Sequence, residues 1–228
     1  MAEPIADLRA ERIAANLAQV REEIAHAAAR AGRRPISDRS AAVQVLAATK
    51  YVALEDMPLL AQAGILLVGE NRAQDLLAKV AAHGELFTWD FIGRLQSRKV
   101  RIVVPHVRLI HSIASETALR ELKRHRGLAK PGLEVLIEVN IAREDRKEGV
   151  APEELEGFIE RCAMPVAGLM TMPPPAVKPE DSRRWFAALR ELAQVHGLKH
   201  LSMGTTQDYL VAIEEGATIV RIGTRLYT

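Results

Sequence analysis

Residues 133–170, LEVLIEVNIAREDRKEGVAPEELEGFIERCAMPVAGLM, contain the unit from which the fold is read. They open on an apolar run, Leu133–Val139, and close on another, Val166–Met170. Between the runs Pro152 stands before two Glu, a helix-start signal, and periodic apolar residues follow it. Near-continuous apolar strands on either side of a helix imply a parallel pair buried on both faces, because the return crossover lays the helix over the sheet.

The same alternation extends in both directions. Upstream lie Val43–Ala48, Ile65–Val68, Trp89–Ile92 and Leu109–Ile113; downstream lie His200–Met203 and Thr218–Ile222. Ser115 before Glu116, and Thr205 three residues ahead of Asp208, mark further helix starts. Residues 5–31 add an amphipathic helix with Ile13, Leu17, Val20 and Ile24 on one stripe, ended by Gly32 and Pro35. Eight strand–helix units in 228 residues predict an α/β fold: one (β/α)8 TIM-type barrel with an extra N-terminal helix, spanning 1–228 as a single domain. A doubly wound open sheet is the alternative, but no Gly-x-Gly-x-x-Gly turn follows the first strand. The Pro173–Pro175 run follows a strand directly and reads as a stiff loop.

Composition narrows the function classes. Apolar residues make up 48% and charged residues 26%, a globular balance. The 31 Lys and Arg against 29 Asp and Glu leave a net charge of +2, far from the basic excess that binding a phosphate backbone requires, so no nucleic-acid partner is expected. The single Cys, Cys162, allows no internal disulfide and no thiolate zinc site, which suggests a reducing compartment. No apolar run reaches the ~18 residues of a membrane span, and the first residues lack the pattern of a secretion signal. The expected location is the cytoplasm, with no membrane partner.

In a parallel barrel the chemistry collects where the carboxyl ends of the strands open onto one mouth. Lys50 follows Val45-Leu46-Ala47-Ala48-Thr49, at or just above the core. Two readings stand. Partial desolvation would lower its pKa and free a neutral amine to attack an aldehyde; alternatively its stem lies along the rim with the ammonium in water. Ser202-Met203-Gly204-Thr205-Thr206 and Arg221-Ile222-Gly223-Thr224 close strands seven and eight, where these barrels commonly hold phosphate. Small residues admit an anion to backbone N–H groups, hydroxyls add donors, and a helix starting near Thr206 would point its positive end there. Ordinary turn and cap chemistry would use the same residue types. The seven His show no metal-ligand spacing, so no metal site is expected. Arg94, Arg98, Lys99 and Arg101 read as a solvated helix face, Lys123 to Arg126 as partners of a helix C-terminus, and Cys162 as a small residue at a helix end.

These motifs together resemble the pyridoxal-phosphate homeostasis proteins, also called the proline-synthetase co-transcribed family, which are similar to the barrel half of alanine racemase. The resemblance rests on Ala48-Thr49-Lys50, Gly69-Glu70-Asn71 with Gln74, and Phe91-Ile92-Gly93-Arg94-Leu95-Gln96-Ser97-Arg98-Lys99. It continues through His111-Ser112, Val139-Asn140 with Lys147 and Gly149, and Gly168 to Pro173. Leu201-Ser202-Met203-Gly204 with Asp208, and Val220 to Thr224, complete it over nearly the whole chain.

The resemblance implies that Lys50 holds pyridoxal 5′-phosphate as an internal aldimine. It also implies that Arg221 faces the pyridine nitrogen, that Asn71 lies close to the ring, and that Gly223, Thr224 and the Ser202–Thr206 loop, with Gly204 and Thr206, hold the phosphate. An Arg at the ring nitrogen disfavours its protonation and makes the cofactor a poorer electron sink. The implied function is buffering or delivery of the cofactor to apo-enzymes without substantial turnover, by a monomer or weak dimer. A weak racemase-like enzyme is the alternative, and a Schiff-base aldolase acting on a sugar phosphate is open from the residues alone. Two departures from the family stand out: Thr205-Thr206 where Met-Ser is usual, and an end at Thr228 soon after the last strand. No second β domain with an opposing Tyr base is expected.

Overall fold

The computed structural model describes residues 5–32 and 42–228. The chain enters through α1 (Ala10–Arg30) and then alternates β1 (Gln44–Ala48), α2 (Met57–Gln62), β2 (Leu67–Glu70), α3 (Ala73–His83), β3 (Thr88–Phe91) and α4 (Val100–Val103). It continues through β4 (Leu109–Ile113), α5 (Glu116–Arg124), β5 (Glu134–Glu138), α6 (Leu155–Glu160), β6 (Val166–Met170) and α7 (Arg183–Val195). β7 (His200–Thr205), α8 (Tyr209–Glu214), β8 (Ile219–Ile222) and α9 (Thr224–Tyr227) complete it. The eight strands pair in chain order as a closed parallel barrel, with β8 joined to β1 from Gln44↔Ile219 to Ala47↔Ile222. This is the (β/α)8 barrel that the alternation predicts, with α1 as the extra helix.

Side chains alternate across each strand, and that alternation decides which residues can do chemistry. Leu46, Leu109, Leu136, Met170 and Ile219 pack together inside the barrel. Val68, Trp89, Ile110, Ile137, Val220 and Ile222 face the helices in the larger outer core. On β8, Ile219 inside and Val220 outside turn Arg221 inward. On β5, Leu136 inside puts Glu138, two residues on, over the same interior.

Several boundaries differ from the sequence reading. The second strand begins at Leu67 rather than Ile65, because Gly64 at φ +83° turns the chain after α2 and the Ile65 N–H still bonds Leu60 O at 2.9 Å. The basic segment after β3 is helical only from Ser97, as one 3-10 turn and the short α4; Arg94 lies ahead of it and pairs with Glu148. α8 starts at Tyr209, not near Thr206, because the Asp208 carboxylate accepts the Thr205 N–H at 2.8 Å and folds residues 206–208 into a turn. Cys162 lies just past α6, half-buried, and burial pushes its thiol up.

α1 buries the expected stripe of Ile13, Leu17, Val20 and Ile24, together with Ala27. It lies against α8 and α9, where the Asn16 amide donates to Leu226 O and Thr228 O, both at 3.2 Å, and Arg225 pairs with Glu23 at 2.8 Å. Gly32 ends the helix at φ +66°, as its position suggests; Pro35 lies outside the described residues. No described helix is long and apolar enough to cross a membrane.

Candidate functional site

β1 ends at Ala48, so Lys50 stands two residues beyond it on a turn and is exposed. Its ammonium lies 4.5 Å from the centroid of the Tyr51 ring. Of the two readings of Lys50, the fold gives the one with the side chain at the rim: the turn lifts it clear of the core.

What the fold does supply is a fixed backbone beneath that lysine. Glu70, fully buried at the end of β2, accepts from Thr49 Oγ1 at 2.9 Å and from Lys79 Nζ at 2.7 Å on one carboxylate oxygen. Its other oxygen accepts the Asn71 N–H at 2.7 Å. Lys79 reaches in from α3 and also donates to Thr49 O at 2.7 Å. Both charges of the pair are thus spent on the strand ends that carry Lys50 and Asn71. On the other side of β1, Tyr227 of α9 donates to Ala48 O at 3.1 Å; burial, and then the Glu70 charge, hold its phenol well above the ordinary tyrosine range.

Asn71 is half-buried, and its side-chain oxygen is buried without a partner among the described residues. A buried amide oxygen left unpaired costs about 1–3 kcal/mol, which marks it as a group awaiting a donor. Gly93 makes this placement possible: a Cβ there would lie 1.9 Å from the Asn71 carbonyl oxygen.

Arg221 is almost fully buried, 6% exposed. Its NH1 donates to Ser202 O and Ser202 Oγ, both at 2.7 Å, and its NH2 donates to Thr171 O at 3.0 Å and approaches Met172 Sδ at 2.8 Å. Burial pulls its pKa down to about 10, opposed by the charges of Glu138 and Asp208. The guanidinium therefore remains a cation at neutral pH. Glu138 shares the interior, and burial pushes its carboxyl up, against the attraction of Arg221.

The two small-residue segments meet. Thr205 is in register with Arg221, and the Gly223 N–H donates to Thr206 Oγ1 at 3.3 Å. Gly204, at φ +89°, has no room for a Cβ, which would stand 2.6 Å from that of Ala212. Gly223 faces the end of β1, its notional Cβ 3.9 Å from that of Ala48, so the β8 turn and the Lys50 turn are neighbours. Thr224 is exposed at the first position of α9. Ser202 departs from its expected place: it is fully buried, and its hydroxyl is engaged with His111 Nδ1 at 2.8 Å and with Arg221, away from the rim. Among the described residues no group of three His, Cys, Asp or Glu could hold a metal ion.

The family model for the N-terminal domain of alanine racemase matches residues 9–228. The pyridoxal phosphate homeostasis protein of Aquifex aeolicus (strain VF5) is 41% identical over 222 residues, covering 92% of this chain and 95% of that protein. The chain belongs to the pyridoxal phosphate homeostasis protein family. Among solved structures, one from Bifidobacterium adolescentis is similar with a TM-score of 0.85 at 30% identity, covering 99% of this chain and 98% of that one. PipY of Synechococcus elongatus PCC7942, solved with PLP bound, is similar with a TM-score of 0.75 at 30% identity, covering 95% of this chain and 100% of that one.

Family membership sharpens which residues sequence reasoning overlooked. Lys79, Asp90 and Arg108 carried no motif, yet each is held in an ion pair in or beside the barrel, and Glu138 carried none, yet it is half-buried within the field of Arg221. Asp90 and Glu138 had one signal: an acid inside an otherwise apolar run. Lys79 had none, since one Lys on a helix reads as solvated surface.

Proposed function

We propose that this chain binds pyridoxal 5′-phosphate at the barrel mouth and serves intracellular cofactor homeostasis, holding and handing on the cofactor without substantial turnover. The observation that carries the reading is Arg221: a buried cation, held by backbone and side-chain acceptors of β7 and of the segment after β6, beneath a rim that bears an exposed lysine. When bound, the cofactor supplies an aldehyde that condenses reversibly with amines. Lys50 supplies the amine. Arg221 would face the pyridine nitrogen as a hydrogen-bond donor and, as a cation at neutral pH, would disfavour that nitrogen's protonation. Asn71 offers its unpaired oxygen beside the ring. Gly204, Thr206, Gly223 and Thr224, on the two turns that meet at the Thr206 hydroxyl, would hold the phosphate, with Ser202 acting beneath them through Arg221 rather than through a free hydroxyl.

Weak electron withdrawal suits retention and delivery better than carbanion chemistry, and the relatives bear names of homeostasis proteins rather than enzymes. Apo-enzymes that use the cofactor are the proposed recipients, in the cytoplasm, with the chain acting as a monomer or weak dimer. Borohydride reduction of the loaded protein followed by peptide mass spectrometry tests the site, and the adduct is expected on Lys50. An adduct elsewhere, or none, overturns the reading. Chiral analysis after incubation with L-alanine tests turnover: D-alanine formed well above the rate with free cofactor makes the racemase reading the better one.

A further inference from the structure

Beneath Arg221 runs a line of buried polar groups that binding at the mouth does not itself require. Asp90, His111 and Ser202 are all fully buried or nearly so, on β3, β4 and β7. Ser202 Oγ lies 2.8 Å from His111 Nδ1, and His111 Nε2 lies 3.2 Å from Asp90 Oδ2. Arg108 grips the same carboxylate at both oxygens, Nε to Oδ1 at 3.1 Å and NH2 to Oδ2 at 2.7 Å, and donates onward to Gln44 Oε1 at 3.1 Å.

A serine, histidine and aspartate in a row suggest a nucleophile, but this serine is fully buried and its oxygen faces a guanidinium. Hydrogen-bond chemistry fixes where the protons sit instead. A guanidinium can only donate, so Ser202 Oγ accepts from Arg221. The Asp90 carboxylate, paired with Arg108, only accepts, so His111 Nε2 carries the imidazole proton and points it there; a neutral ring then leaves Nδ1 bare to accept the Ser202 proton. Burial, only partly offset by Asp90, holds His111 below the ordinary histidine range and so neutral. Of the five guanidinium N–H groups, those on NH1 and NH2 face acceptors from β7 and from the segment after β6, and among the described residues Nε–H meets no acceptor.

We propose that Asp90, His111 and Ser202 are positioning residues for Arg221, holding its guanidinium in one orientation so that its hydrogen bond to the pyridine nitrogen of the bound ligand has a fixed strength. The proposal rests on the binding reading above and deepens it, by naming what sets the electronic state of the ligand ring.

Two measurements separate the proposal from its premise. In the apo-protein, nitrogen-15 NMR of His111 is expected to show a neutral imidazole protonated at Nε2 from pH 8 to pH 6. An Nδ1–H tautomer, or titration near the free-histidine value, overturns the chain whether or not the ligand binds. In the loaded protein, His111→Gln is expected to leave the adduct on Lys50, shift the nitrogen-15 resonance of labelled pyridine nitrogen, and weaken the ligand about tenfold. An unchanged resonance and affinity, whatever happens to the melting temperature, makes His111 merely structural and rejects the proposal. If His111→Gln does not fold, Ser202→Ala replaces it. That variant is expected to weaken pyridoxal 5′-phosphate and pyridoxal by the same factor, whereas loss of a phosphate donor would weaken only the former and overturn the role given to Ser202. Failure of the wild-type protein to take up the ligand sinks the binding reading alone, because the apo-protein measurement still decides the chain.

Discussion

Lys50 and Lys79 show how place in the fold gives one residue type two jobs. Lys50 is exposed on a turn with its ammonium over the Tyr51 ring, so replacing it is expected to remove an amine and little packing. Lys50→Ala is expected to abolish the borohydride-trapped adduct while far-ultraviolet circular dichroism stays that of the wild type; loss of the dichroism signal would make the lysine structural. Lys79 is buried against Glu70, with side-chain exposures of 7% and 0%. Lys79→Met would leave the Glu70 carboxylate buried beside Thr49 without its counter-charge. Breaking such a pair costs about 3–5 kcal/mol, and a fall of that size in the free energy of urea unfolding is expected. A change below about 1 kcal/mol would show the pair to behave as a surface one.

At the scale of elements, the site is made of turns that follow strands, and their geometry is held by close approaches. Gly93 follows β3 with the Asn71 carbonyl oxygen 1.9 Å from where a Cβ would stand, and backbone cannot yield as a flexible side chain does. Gly93→Ala is expected to destabilise the fold by at least the ~1–3 kcal/mol typical of overpacking, and to weaken cofactor uptake because Asn71 must move. Thermal unfolding and visible-absorbance titration of the same sample measure both, and uptake equal to wild type would show that Asn71 has no part in the site. The turns after β7 and β8 meet at the Thr206 hydroxyl and the Gly223 N–H. If they hold the phosphate, pyridoxal is expected to bind far more weakly than pyridoxal 5′-phosphate, since each charge-assisted hydrogen bond contributes about 1.5–3 kcal/mol. Equal affinities by titration of the apo-protein would remove the phosphate from those turns.

Across the whole molecule, hydrogen bonds connect Gln44 at the start of β1 with Arg221 near the end of β8, by way of Arg108, Asp90, His111 and Ser202. The interior is therefore not a uniform apolar plug, and it makes stability depend on pH. The folded pKa of His111 is lowered, chiefly by burial. Below the unfolded value of about 6.5 the unfolded chain binds the proton more readily than the folded one. The stabilisation from the neutral imidazole is present above that pH and is lost as pH falls through the folded value. The urea midpoint is expected to drop between pH 7 and pH 5 in the wild type, and to drop less in His111→Gln. Equal slopes in the two proteins would assign the acid sensitivity to other groups.

The barrel was legible because eight apolar runs separated by helical stretches are a long, repeated pattern, and burial on both faces leaves a parallel sheet little alternative. Membership in the family was legible in ordered motifs such as Phe91 to Lys99. Side-chain direction near the strand ends was not. Whether Lys50 is desolvated depends on β1 stopping at Ala48, and whether Ser202 meets a phosphate depends on Arg221 and His111 having already taken its hydroxyl. Asp90 and Glu138 showed only as acids within apolar runs, Lys79 not at all, and what each of them meets was out of reach for the same reason. A charged side chain in a local sequence window gives no sign of its partner, and partners 18 residues apart, as Arg108 and Asp90 are, or 91 apart, as His111 and Ser202 are, meet only when the barrel closes.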